Sequence, residues 1–238
     1  MTRLFEHSAR PRLRIREEKR HEPLPPVSRK PAIGLLGGSF NPAHEGHRHI
    51  SLEALRLLGL DEVWWLVSPQ NPLKSRKGMA PLEDRLASAR RVAMHPRIRV
   101  SDIERRLGTV YTVDTVARLK ASFHYTFVWL IGADNLVQMV RWRRWLDLAA
   151  MTPIAVFDRT PYSYGAVASK AASVLRGSRL PECRANRLIR WAPPVWTYIP
   201  QRTISALGAT AGSRPGGRST GEPPALQFSG NSVISNVR

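Results

Sequence analysis

Cysteine is almost missing from this chain. Cys183 is alone among 238 residues, so no internal disulfide can form and no second thiolate is present to share a metal cluster. Acidic residues are also scarce: 18 Asp and Glu stand against 37 Lys and Arg, leaving a formal net charge of +19 that attracts polyanions of every kind. Long apolar runs are lacking as well. No stretch of about 18 apolar residues could span a bilayer, and the basic, Pro-rich opening has no apolar core of a secretory leader. The expected location is therefore the cytoplasm, with no membrane partner. The excess charge is spread along the chain, denser at 10–16 and 202–218, and no recognisable nucleic-acid module accompanies it. RNA is thus disfavoured as a partner, and the basic surface reads as solvated charge that steers anionic nucleotides. No internal repeat is visible.

The length suits one sizeable α/β domain with tails. Residues 1–30 mix Arg, Glu and Pro without apolar periodicity and read as a disordered lead-in, while 201–238 turn Gly-, Ser-, Pro- and Arg-rich and read as a poorly ordered tail. Between them, 31–200 alternate strand and helix patterns. Apolar strands are expected at Ile33–Leu36, Glu62–Ser68, Ile98–Val100, Thr126–Ile131, Pro153–Phe157 and Pro194–Ile199. Helices are expected from Gly46, from Pro81 as the first helical residue, and after Thr112 as N-cap. Trp142 and Trp145 fall in a very basic helical segment, and Tyr162–Arg190 carry a weak helical pattern. The fold class is α/β, a doubly wound, mostly parallel sheet in a single domain. The first two strands, joined by a helix of crossover length, should be parallel neighbours.

The chemistry concentrates just after the first strand. The strand breaks at Gly37-Gly38, where backbone can approach a ligand without a Cβ in the way. Asn41-Pro42 turns the chain, and apolar residues at Ile50, Ala54, Leu57 and Leu58 start a helix whose first-turn amides and dipole sit beside His44 and His47. Two imidazoles at a helix N-terminus can donate hydrogen bonds to a phosphoryl group as its charge grows. Taken alone, a His-x-x-His pair also fits surface decoration or part of a metal site. Further along, the polar loop from Pro69 to Gly78 brings Lys74 off the end of a strand, where ligands bind in open α/β sheets. Gly132 and Asp134 follow another strand in the same way.

The string GGSFNPAHEGH, Gly37 to His47, resembles the nucleotidyltransferase signature GGxFxPxHxGH of adenylyl- and cytidylyltransferases. Followed in order by Asn71-Pro72-Leu73-Lys74, Tyr111-Thr112, Ile131–Asn135, Arg141-Trp142 and Phe157–Arg159, it makes residues 31–200 resemble the bacterial nicotinate-nucleotide adenylyltransferases. The resemblance implies a Rossmann-like domain that joins the adenylyl group of ATP to nicotinate mononucleotide, giving nicotinate adenine dinucleotide and pyrophosphate in NAD biosynthesis. It implies that Gly37, Gly38, Ser39 and Phe40 hold the ATP phosphates with the catalytic pair His44 and His47, assisted by Lys74 and Ser205. It also implies a nicotinate mononucleotide pocket shaped by Thr112, Asp134, Trp142 and Arg159, the Trp142 indole stacking on the pyridine ring. Mg²⁺ is expected on the ATP phosphates, with no metal held by protein ligands alone. The alternatives are another acceptor, nicotinamide mononucleotide or phosphopantetheine, or a non-catalytic nucleotide- or RNA-binding protein. The oligomeric state is left open, a homodimer included. The chain departs from the family late: in place of an Ile-Ser-Ser-Thr-x-Ile-Arg motif it has Thr203–Thr210 without arginine, and Ile234–Arg238 echoes only a fragment. A shifted reading frame near residue 203 and an altered phosphate grip are the two explanations.

Overall fold

The computed structural model describes residues 29–70, 78–158 and 163–200, all within the unit that runs to Gln201. Of the segments expected to be disordered, 1–30 and 201–238, all but residues 29 and 30 lie outside the described residues. At the start of the described chain Arg29 forks onto the Asp61 carboxylate at 2.8 and 2.6 Å, and the Ala32 amide donates to the same carboxylate at 2.7 Å.

In chain order the elements are β1 (Ala32–Gly38), α1 (Glu45–Leu57), β2 (Glu62–Val67), α2 (Leu82–Ala93), β3 (Ile98–Ser101), α3 (Ile103–Leu107), α4 (Thr112–Ser122), β4 (Thr126–Gly132), α5 (Ala133–Gln138), α6 (Trp145–Met151), β5 (Ile154–Phe157), α7 (Ser163–Val167), α8 (Lys170–Val174), β6 (Arg179–Leu180) and β7 (Trp196–Ile199). Turns of 3-10 helix occupy Met139–Arg141, Arg176–Ser178 and Glu182–Arg190. The strands form one sheet in the order β3-β2-β1-β4-β5-β7-β6, parallel at every pairing. The expected α/β class and the parallel pairing of the first two strands are both found.

Unbroken apolar runs are what a sheet covered on both faces requires, and alternate residues divide between two cores. Leu36, Val63, Trp65, Val128 and Leu130 pack beneath α1, α2 and the 182–190 turn, whereas Ile33, Leu35, Leu66, Phe127, Trp129 and Ile131 pack beneath α4, α5, α6 and α8. From β1 the chain winds outward through β2 to β3, then returns to lay β4 on the other side of β1. The direction of winding therefore reverses between β1 and β4, and the carboxyl ends of these two strands flank the crevice where open α/β sheets take their ligands.

Several boundaries differ from expectation. Pro81 is the N-cap of α2, not its first helical residue. Thr112 is the first residue of α4, and Tyr111 occupies the cap without a side-chain hydrogen bond. The chain before α6 is not continuous helix, since Trp142 is extended after the 139–141 turn. Three elements were unforeseen, the two-residue edge strand β6 and the short helices α5 and α3. Helix α3 starts after Asp102 and stops at Gly108 in the left-handed conformation (φ +61°), so its start and stop residues were present. Five residues are too few for an apolar period to show. Among the described residues no helix is long and apolar enough to cross a membrane, and Cys183 is exposed.

Candidate functional site

β1 ends at Gly38, and the next residues turn sharply enough to put Phe40 at φ +46°. That conformation costs a non-glycine residue roughly 1–2 kcal/mol and is held by packing: the Phe40 ring is 2% exposed and stacks on Trp65 at 5.1 Å. Phe40 thus offers main chain to the sheet edge while its side chain belongs to the core. Glycine at 37 is demanded by a protein ring. A Cβ there would come within 2.7 Å of the Trp129 indole, whereas one on Gly38 would only touch the Phe40 ring, at 3.4 Å.

His44 is the N-cap of α1. Its Nδ1 accepts from the Gly46 amide at 3.1 Å, and the His47 Nδ1 accepts in return from the His44 amide at 3.3 Å. A ring that accepts at Nδ1 carries its proton on Nε2. The cap therefore sets the tautomer of both imidazoles and makes each Nε2–H a donor on the ring edge away from the capped amide. The two rings lie 4.0 Å apart, and His47 rests 4.6 Å from Phe40 and 5.9 Å from Trp65. Beneath them the Trp65 indole donates to Ser51 Oγ at 2.7 Å, and Ser51 donates to the His47 carbonyl at 2.8 Å. The helix that carries the histidines is thereby bolted to β2. The first-turn amides of this 13-residue helix supply partial positive charge at the same place.

Gly46 keeps room for this arrangement, because a Cβ there would stand 2.9 Å from the His44 ring. Replacing Gly46 by Ala is expected to leave the melting temperature equal or slightly raised, since alanine is the better helix former, while turnover falls about 10- to 100-fold as the imidazole is displaced. Paired melting and rate measurements check it, and unchanged turnover would show that the His44 ring position does not matter.

A residue absent from the expectations lies under the turn. Arg85 of α2 is 3% exposed, yet among the described residues no carboxylate pairs with it. Its Nη1 donates to the carbonyls of Ser39 and Ser68, each at 2.7 Å, its Nη2 to that of Pro69 at 3.2 Å and its Nε to that of Ala80 at 3.0 Å. Burying a cation costs several kcal/mol, and four carbonyl dipoles offset that cost. Burial lowers the guanidinium pKa from its ordinary value, and the group stays charged. The Ser68 amide in turn donates to the Gly38 carbonyl at 2.9 Å, so the ends of β1 and β2 are held together from both sides. Asn41 adds a further tie, donating to the Gly78 carbonyl at 3.1 Å and accepting from the Ala80 amide at 3.2 Å.

The second unforeseen residue is Glu104 in α3, 5% exposed, whose Oε2 has no hydrogen-bond partner among the described residues. Burial pushes its carboxyl up to about 7, and the hydroxyls of Ser68 and Thr115 pull the other way without offsetting it. Glu104 was hidden because α3 is too short to show a period, and Arg85 because it sits beside one. Arg85 stands next to the buried stripe Leu86, Ala89 and Ala93 and reads as its polar flank.

Of the expected site residues, Gly37 and Gly38 end β1, Ser39, Phe40, His44 and His47 follow it, and Asp134 lies in the first turn of α5, directly after the neighbouring β4. Thr112 opens α4. Trp142 is half-buried against the core beneath α4 to α6, so part of its surface remains exposed. Lys74, Arg159 and Ser205 lie outside the described residues. Among the described residues no three His, Cys, Asp or Glu side chains converge as a metal site.

This chain matches the family model described as cytidylyltransferase-like over residues 35–206. It is 54% identical over 177 residues to a probable nicotinate-nucleotide adenylyltransferase of Parvibaculum lavamentivorans, covering 73% of this chain and 88% of that protein. A protein of the same name from a Bradyrhizobium species is 50% identical over 186 residues, 78% of this chain and 96% of its own length. Among solved structures, the Plasmodium falciparum nicotinic acid mononucleotide adenylyltransferase complexed with NaAD shares the fold, with a TM-score of 0.56 and 18% identity over 74% of this chain and 77% of that one.

Proposed function

Since the chain belongs to the cytidylyltransferase-like family and, within it, to the nicotinate-nucleotide adenylyltransferases, we propose that it transfers the adenylyl group of ATP to nicotinate mononucleotide. The products are nicotinate adenine dinucleotide and pyrophosphate, and the reaction is a cytoplasmic step of NAD biosynthesis. The observation that carries this reading is the pair of tautomer-locked imidazoles at the start of α1, set at the edge where the sheet reverses its winding.

A 5′-phosphate oxygen of the acceptor attacks the α-phosphorus of ATP. A new P–O bond forms there as the bond to the β-phosphate breaks, and the electron pair leaves with pyrophosphate. The nucleophile is already ionised at neutral pH, so no general base is required. Catalysis then consists of alignment and of stabilising the charge on the transferring and departing phosphates. The main chain at 37–40 and the Nε2–H groups of His44 and His47 do this, and the helix dipole adds to it. Mg²⁺ enters with ATP as part of the substrate. Thr112, Asp134 and the exposed part of Trp142 receive the acceptor, the indole stacking on its pyridine ring. Roles for Lys74, Arg159 and Ser205 rest on the sequence resemblance alone.

The test supplies the protein with ATP, Mg²⁺ and, in turn, nicotinate mononucleotide, nicotinamide mononucleotide and phosphopantetheine. Pyrophosphate release is expected to depend on nicotinate mononucleotide. Release that depends on another acceptor would move the assignment within the family, and RNA retention without turnover would replace it.

A further inference from the structure

We propose that Arg85 is a positioning residue for adenylyl transfer, its guanidinium setting from behind the direction of the backbone amide that meets the triphosphate. The inference rests on reading the 37–40 main chain as the triphosphate site. A trans peptide unit is planar, and its C=O and N–H point in opposite directions. Arg85 holds the Ser39 carbonyl at 2.7 Å, which turns the N–H of the same peptide, that of Phe40, to the opposite side. The left-handed conformation of Phe40 needs such an external hold.

The same Nη1 grips the Ser68 carbonyl at 2.7 Å, and the Ser68 amide reaches the Gly38 carbonyl at 2.9 Å. The turn after β1 is thus indexed to the end of β2 through one side chain. Lysine cannot reproduce the arrangement, because an ammonium lacks the planar fork that reaches four carbonyls at once. With only neutral dipoles as partners among the described residues, the cation is not neutralised and adds a fixed positive charge beneath the turn.

The test measures kcat and the KM of each substrate for Arg85→Met and Arg85→Lys, with melting curves and His47→Ala in the same assay. Arg85→Met is expected to lower kcat/KM for ATP about tenfold or more while the KM for nicotinate mononucleotide changes less than about twofold. Arg85→Lys should recover only part of the loss, and added guanidinium ion should restore part of the Arg85→Met activity. Folded Arg85→Met with ordinary ATP parameters overturns the proposal. So does an equal loss for both substrates that tracks the loss of folded protein, which marks a purely structural role. Should Arg85→Met fail to fold, a folded Arg85→Lys with unchanged ATP parameters overturns it as well. If His47→Ala is impaired and the Arg85 variants are not, only this inference fails. An unimpaired His47→Ala removes the triphosphate reading on which it rests.

Discussion

Replacing His47 by alanine is expected to lower turnover about 100-fold or more, the usual consequence of losing one donor aimed at charge that develops in the transition state. The fold should survive. The ring is only half-buried, and its loss removes one acceptor from the helix start, an effect of about 1 kcal/mol. His44→Ala should behave alike. His44→Asn is the sharper variant, because asparagine is among the best N-cap residues and keeps the helix start intact while the Nε2–H donor disappears. Its melting temperature should stay near that of the parent and its turnover should not. Near-normal turnover for both His47→Ala and His44→Asn would take the imidazoles out of the mechanism and leave them as helix caps.

Glu104→Gln is expected to stabilise the protein above neutral pH and to do little in acid. The Glu104 carboxyl is raised from an ordinary 4.5 to about 7, chiefly by burial. Below about pH 4.5 it is protonated in both folded and unfolded chains, and this contribution to stability is fully present. As pH climbs from there toward 7, the unfolded chain releases the proton and the folded one keeps it, so stability falls. Above about 7 the folded protein also ionises and the loss levels off at roughly 3 kcal/mol, from about 1.4 kcal/mol per pKa unit. Glutamine keeps the shape without the charge. At pH 8 it should raise the melting temperature by roughly 6–12 °C for a domain of this size, with the gain shrinking to nothing near pH 4–5. Melting curves across that range decide it. A Glu104→Gln protein equally destabilised at every pH would mean that the folded state needs a bond only the carboxyl can make.

The site was legible in sequence to the extent that its parts are consecutive. Gly37 to His47 sit within one strand, one turn and one helix start, so glycines, a turn-forming Asn-Pro and a helical apolar period mark out the candidate site without any distant contact. Alternation of apolar strands with helices likewise yields a parallel sheet, because each such strand must be covered on both faces. The reasons for individual residues were less accessible. Gly37 looked like clearance for a ligand, and its missing Cβ makes room for Trp129, 92 positions later on the adjoining strand. His44 and His47 looked like paired phosphate donors, and the structure adds that each also caps the helix and so holds a defined tautomer.

By itself the chain's order of residues determined the α/β class and the family and singled out the stretch proposed to bind phosphate, because these reside in local periodicity and in an uninterrupted signature. Only the tertiary structure decided what holds the site. Arg85 meets a carbonyl 46 positions away, Trp65 braces Ser51 across 14, and Glu104 loses its water under a packed layer. Such contacts follow from where the sheet lays its strands side by side, and a polar residue flanking an apolar stripe looks the same in sequence whether it faces solvent or a buried carbonyl.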